Sequence, residues 1–164
     1  MNILYNFFKK TPQQKTNIIA PISGTIVTLD SVPDKVFSER IVGDGIAIQP
    51  NGKRIVAPIT GKIGIIFKTM HAFSIMTKDG IELFVHFGID TVLLKGKGFK
   101  QIAQDNQNIT MGETIIEYDL KFLQKYAKST ITPIVISNMD QVKKIKKYSG
   151  TTISGKTIIM EVIK

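Results

Sequence analysis

The chain contains no cysteine and no tryptophan, and only two histidines among its 164 residues. Without cysteine there is no disulfide framework, no thiolate nucleophile and no cysteine-bound metal. No apolar run approaches the ~18 residues that a membrane-spanning helix requires. The N-terminus lacks an apolar core followed by a small-residue cleavage site, so no secretory signal is expected and the chain reads as cytoplasmic. Acidic residues are also scarce: 22 basic against 13 acidic side chains leave a formal charge of +9. Nucleic acid, an anionic membrane or an acidic protein would suit that charge. The lysines are scattered, however, and no basic–aromatic motif of the sheet-type RNA readers occurs, so a nucleic-acid partner is not expected. The one dense run, Lys143-Lys144-Ile145-Lys146-Lys147, has the spacing of a short helix over Asp140–Tyr148.

What is present fits one domain with a real core. Residues 1–16 read as an amphipathic tail and linker. Ile3, Leu4, Phe7 and Phe8 fall at helical spacing before Lys9 and Lys10, a pattern suited to weak contact with a membrane surface through residues 1–10. Residues 17–164 read as a single β-domain. Within it Ala20-Pro21-Ile22-Ser23-Gly24-Thr25-Ile26 is echoed by Ala57-Pro58-Ile59-Thr60-Gly61-Lys62-Ile63, and Asp44-Gly45-Ile46 by Asp79-Gly80-Ile81. Gly112–Asp119 and Gly155–Ile163 form another similar pair. Such duplication predicts an all-β fold, a flattened antiparallel sandwich or barrel with internal pseudo-symmetry and a few short helices. Short helices are expected near residues 96–103 and from Leu120 to about Ala127, the latter capped by Asp119. Val32–Phe37 breaks the strand pattern and reads as a loop or helical turn, with Asp34 beside exposed Val36 and Phe37.

Both histidines lie in one stretch, Thr69–Asp90. His71–Met76 and Ile81–Phe87 read as the two strands of a hairpin around Thr77-Lys78-Asp79-Gly80. With those four residues as the loop, Met76 faces Ile81 and His71 faces His86. A two-residue Asp79-Gly80 loop makes the pair diagonal on the same face, and an odd loop separates it. Along the second strand Ile81, Leu83, Val85 and Phe87 point to the core, and Phe84 and His86 to the other face.

Three chemistries compete for this pair. A catalytic zinc needs about three protein ligands, and two imidazoles without HExxH or cysteine supply too few unless a partner adds one. A swinging-arm carrier needs a modifiable lysine at a hairpin tip; Lys78 is a weak match. A phosphohistidine carrier needs one neutral imidazole as nucleophile and one donor beside it for the equatorial phosphoryl oxygens. Only this last gives both rings a task.

The segments IIAPISGTIV, VPDKVFSERIVGDGIAI, VAPITGKIG, HAFSI, ELFVHFGID, KGFKQIA and KSTITPIVISNMD resemble the glucose-type enzyme IIA family of the bacterial sugar phosphotransferase system over nearly the whole chain. The resemblance implies that His86 is phosphorylated on Nε2. It implies that His71 stabilises the phosphoryl group, that Thr69 orients His71, and that the Gly88 carbonyl holds Nδ1–H of His86. It further implies an apolar ring of Val36, Phe37, Ile41, Val42, Phe67 and Phe84, with Asp34 and Asp90 meeting an arginine of the donor, HPr. The acceptor would be the IIB domain of a glucose-type permease. Regulation of other sugar permeases, glycerol kinase and adenylate cyclase belongs to the same expectation. So do a location peripheral to the inner membrane face and a zinc ion shared by His71, His86 and a partner carboxylate. Phosphoryl transfer itself would need no cofactor. The rival reading is a β-domain binding module whose histidines hold a metal at an interface. The chain departs from the family in its positive charge, with Met76, Lys78 and Leu93 where acidic residues are common.

Overall fold

The computed structural model describes residues 13–164, so the amphipathic pattern of residues 1–10 lies outside the described residues. The chain runs through β1 (Lys15–Ile19), β2 (Gly24–Val27), α1 (Lys35–Ser38), β3 (Asp44–Pro50), β4 (Arg54–Val56), β5 (Gly61–Ile66), β6 (Ala72–Met76) and β7 (Glu82–His86). It continues through β8 (Phe99–Gln101), β9 (Asn108–Ile109), β10 (Thr114–Tyr118), α2 (Leu120–Tyr126), β11 (Thr132–Ile136), β12 (Lys144–Lys147), β13 (Thr151–Thr152) and β14 (Ile158–Ile163). Eight strands form a curled antiparallel sheet in the order β13-β2-β3-β11-β7-β6-β5-β9. Two three-stranded sheets, β1-β14-β12 and β4-β10-β8, complete the fold. This is the all-β antiparallel architecture that the repeats predict. Among the described residues no helix is long and apolar enough to cross a membrane.

The duplication is visible in the backbone hydrogen bonds. Ile19 N donates to Pro58 O at 3.0 Å, and Val56 N donates to Pro21 O at 2.8 Å, so the two Ala-Pro segments clasp each other reciprocally. Gly155 N donates to Ala20 O and Gly112 N to Ala57 O, at 2.9 and 2.8 Å. The glycine-led units thus perform the same task on each copy. β2 and β5 each lie second from an edge of the large sheet, at opposite ends.

The inner face of the large sheet holds the main core. Ile81, Leu83, Val85 and Phe87 are essentially inaccessible. The Phe87 ring packs against Tyr118 and Phe99, with centroids 4.5 and 5.4 Å away. A second, smaller cluster joins Leu29, Val32, Phe37, Ala47, Ile89 and Val135. The loop between β2 and β3 therefore folds down onto the outer face of the sheet, the face that carries Phe84 and His86.

Several local expectations fail for one reason, long-range pairing. Residues 99–101 form β8, held against β10, rather than a helix. Residues 144–147 form β12, paired with β14. Among the described residues its lysines mark the edge of a sheet, where charge discourages pairing with another chain. The strand pattern begins at Lys15, inside the segment read as linker. Asp119 does cap α2, accepting from Phe122 N at 3.0 Å.

Candidate functional site

The hairpin register is odd, contrary to expectation. Thr77 N donates to Ile81 O and Gly80 N to Thr77 O, leaving Lys78-Asp79-Gly80 as a three-residue turn with Gly80 at φ 85°. A three-residue turn with a left-handed glycine is a standard hairpin closure. It pairs Met76 with Glu82 and Ala72 with His86. His71 is therefore not the ladder partner of His86.

The two rings meet all the same, with centroids 4.8 Å apart and planes at 84°. His71 lies just before β6, where alternation no longer governs its side chain. The chain reverses between β5 and β6 through Met70 N→Phe67 O and Phe67 N→Ala72 O bonds, with Met70 at φ 57°. That reversal brings His71 round to the outer face beside His86. Its backbone stays tied to the hairpin, since Phe87 N donates to His71 O at 2.6 Å.

Each imidazole is held at Nδ1. The Gly88 carbonyl lies 2.8 Å from His86 Nδ1. A carbonyl only accepts, so this nitrogen carries the proton and Nε2 of His86 keeps its lone pair. Gly88 has φ 66°, and a Cβ there would lie 2.5 Å from the Ser129 carbonyl. Only glycine fits this turn, and the backbone of Ser129 fixes it further by accepting from Ile89 N. The Thr69 hydroxyl lies 2.6 Å from Nδ1 of His71, and a hydroxyl serves either tautomer.

His71 is 5% exposed, while His86 is half-buried. Burial, reinforced by the neighbouring His86, lowers the His71 pKa to about 4. Burial also lowers that of His86, opposed by the Gly88 carbonyl and by the charges of Asp34 and Asp90. Both rings are neutral at pH 7, the state an imidazole nucleophile requires.

Of the apolar residues named from the sequence, the three aromatic ones surround the pair. Phe37 and Phe84 place their rings 5.2 and 6.1 Å from His86, and Phe67 sits 5.5 Å from His71. Val36, Ile41 and Phe67 are exposed, whereas Val42 and Phe84 are half-buried. Phe37 corrects the expectation of an exposed side chain: at 3% exposure it anchors the smaller core cluster. Asp34 caps α1, accepting from Val36 N at 2.8 Å through one carboxylate oxygen. Asp90 is exposed, with Lys128 3.8 Å away.

Sequence reasoning missed three supporting residues. Thr91, fully buried, donates from its hydroxyl to Phe87 O at 2.6 Å and braces the turn after His86. Ser129 backs Gly88. Arg40 joins the two ends of the loop that carries Phe37. Thr91 and Ser129 act on or through backbone atoms and leave no side-chain pattern, whereas the Arg40–Asp44 pair stands four residues apart and was open to reading from the sequence.

Among the described residues no group of three or more His, Cys, Asp or Glu stands close enough to hold a metal ion. The histidine pair offers two imidazole nitrogens, half of a tetrahedral zinc shell. It fits that ion only if a partner completes the shell.

Comparison with known proteins places the chain in a family. Residues 16–142 match the family model described as phosphoenolpyruvate-dependent sugar phosphotransferase system, EIIA 1. The chain is 56% identical to the PTS system glucose-specific EIIA component of Buchnera aphidicola subsp. Baizongia pistaciae, covering 100% of both chains. It is 43% identical to part of the PTS system N-acetylglucosamine-specific EIICBA component of Escherichia coli K12, covering 90% of this chain and 23% of that one. The solved glucose permease IIA from Mycoplasma capricolum superposes with a TM-score of 0.83 at 36% identity, covering 90% of this chain and 96% of that one. The chain belongs to the EIIA 1 family of the phosphoenolpyruvate-dependent sugar phosphotransferase system.

Proposed function

We propose that this chain is the glucose-type phosphoryl carrier, accepting phosphate from phospho-HPr on Nε2 of His86 and passing it to a cysteine of a permease IIB domain. The observation that carries the reading is the pair of imidazole rings 4.8 Å apart, each fixed at Nδ1 from outside the pair. The Nε2 lone pair of His86 attacks phosphorus in line, the bond to the donor breaks, and a phosphoramidate forms. The Nδ1–H···O=C bond to Gly88 is kept throughout and holds the ring in the right tautomer. His71 faces the equatorial oxygens, and a proton on its Nε2 stabilises their charge. Phe37, Phe67 and Phe84 keep water from the phosphohistidine. No cofactor is required for this step.

A permease partner follows from the family and from relatives in which the EIIA portion is one part of a longer EIICBA chain. Exposed Val36, Ile41 and Phe67 supply an apolar docking rim. Asp34 keeps one carboxylate oxygen for an arginine of HPr. Regulation of other sugar permeases, glycerol kinase or adenylate cyclase would act on this same face. A zinc shared between the two histidines and a partner carboxylate would do so as well.

The test is label transfer from phosphoenolpyruvate through enzyme I and HPr. Acid-labile, base-stable phosphate is expected on the wild type and none on His86→Ala. Label that persists in His86→Ala sinks the assignment. The binding-module reading predicts no label on either protein.

A further inference from the structure

Arg40 is one of only two arginines in the chain. Its backbone is left-handed, at φ 57°, a conformation that non-glycine residues keep only when the surroundings hold them. Its guanidinium donates to Asp30 through Nη1 and Nη2 at 3.0 and 3.4 Å, and through Nε to Asp44 Oδ1 at 3.1 Å. Asp30 lies just before the loop that carries α1, and Asp44 begins β3 just after it. One planar fork therefore closes both ends of residues 31–43. Nη1 also donates to the Ser38 carbonyl at 3.1 Å, binding the fork to the last residue of α1. From the sheet side Lys147 donates to the same Asp44 oxygen at 2.6 Å. The loop so closed carries Phe37 against the His86 ring, and with it Asp34, Val36, Ile41 and Val42.

We infer that Arg40 is a positioning residue: it clasps the α1 loop as a lid over His86, and so sets how long a phosphohistidine survives in water. The lifetime clause rests on the carrier reading above; the clasp does not. Uncoupled loss would be attack of water on phosphorus, with the N–P bond breaking, inorganic phosphate leaving and the lone pair returning to Nε2. Lysine keeps the charge but cannot span two carboxylates with a planar fork. The contacts are partly exposed, so the effect should be moderate and salt-sensitive.

The test compares wild type, Arg40→Ala, Arg40→Lys and Asp30→Asn, the last removing the charge and one acceptor at one end only. Amide hydrogen exchange is followed across the chain, and the imidazole of His86 is titrated by NMR. The groups facing that imidazole are His71, Asp34 and Asp90. Arg40→Ala should speed exchange at residues 34–42 about fivefold, the size expected for a partly exposed network. β6 and β7 should be unaffected. The His86 titration should move towards that of a free histidine, and Arg40→Lys should fall between. Phosphate loss from His86 should accelerate in the same order. Exchange and titration identical to wild type, or exchange raised equally everywhere, would overturn the clasp. Should Arg40→Ala fail to fold, Asp30→Asn carries the same comparison. Absence of any label in the wild type defeats the carrier reading but leaves the exchange result to judge the clasp.

Discussion

The echoed strands β2 and β5 begin alike, but the chain leaves them differently. β5 and β6 are joined by residues 67–71, a tight reversal; β2 and β3 by residues 28–43, a long loop with its own helix and small core. The short connection supplies Thr69 and His71, the polar pair of the site, with the Phe67 ring beside them. The long one supplies Phe37 and its neighbours, the apolar half. Duplication thus yields one site where the two connections meet, on the outer face near His86, and not two sites. Scaffold and chemistry are separable: what the copies share is structural, and what distinguishes them is functional.

The sharpest way to break this comparison is at the short connection. His71→Gln keeps a hydrogen-bonding amide but cannot become cationic. Label should still reach His86, while onward transfer to the IIB domain falls by about two orders of magnitude or more. Single-turnover transfer from purified phosphoprotein measures this. Equal losses in acceptance and donation would mean that the ring only shapes the site.

The shared scaffold should behave symmetrically. A methyl group at Gly24 would overlap the Gln49 carbonyl oxygen, and one at Gly61 the Met76 carbonyl oxygen. Gly24→Ala and Gly61→Ala should therefore each cost about 2–4 kcal/mol, a drop of roughly 5–15 °C in melting temperature. Their phosphorylation stoichiometry when folded should be unchanged. A penalty at one position only would show that the copies are not mechanically equivalent.

The histidine pair gives the next effect, on stability. An unfolded histidine binds a proton below pH ~6.5. His71 does not until about pH 4, because burial and the neighbouring His86 oppose its charge. Between those values the unfolded chain holds more protons than the folded one, so stability rises with pH and is lost on acidification. The loss from pH 6.5 to 4 should be on the order of 2–3 kcal/mol. Melting curves across that range measure it. His71→Gln should flatten the slope, leaving the part contributed by His86, whose pKa burial also lowers.

The sequence announced the duplication because Ala-Pro and Gly recur at fixed offsets, and the reciprocal Pro58 and Pro21 hydrogen bonds explain why they must. It brought the two histidines together for the wrong reason. Asp79-Gly80 signals a hairpin but not its length, and the left-handed Gly80 allows the odd, three-residue turn. Strict alternation would then have parted the rings; the reversal at Met70 reunites them. Phe37 looked exposed because its loop has no periodicity, and only packing against Ala47 and Val135 buries it. The lysine run looked helical over a few residues because nothing local reveals that β14 lies beside it.

The finest distinction between the two connections is a single hydroxyl. Thr69→Val removes the 2.6 Å contact to His71 Nδ1 and keeps the shape of the side chain. Such a bond is worth about 1 kcal/mol net, so onward transfer should slow roughly fivefold. Acceptance from phospho-HPr should change less, because His86 keeps its own partner in Gly88. Phosphate loss to water should stay constant, because Phe37, Phe67 and Phe84, the rings that exclude water, are untouched. A Thr69→Val protein that hydrolyses its phosphate faster while transferring normally would mean that the Thr69 hydroxyl itself guards the site against water, and its separation from the aromatic collar would have to be redrawn.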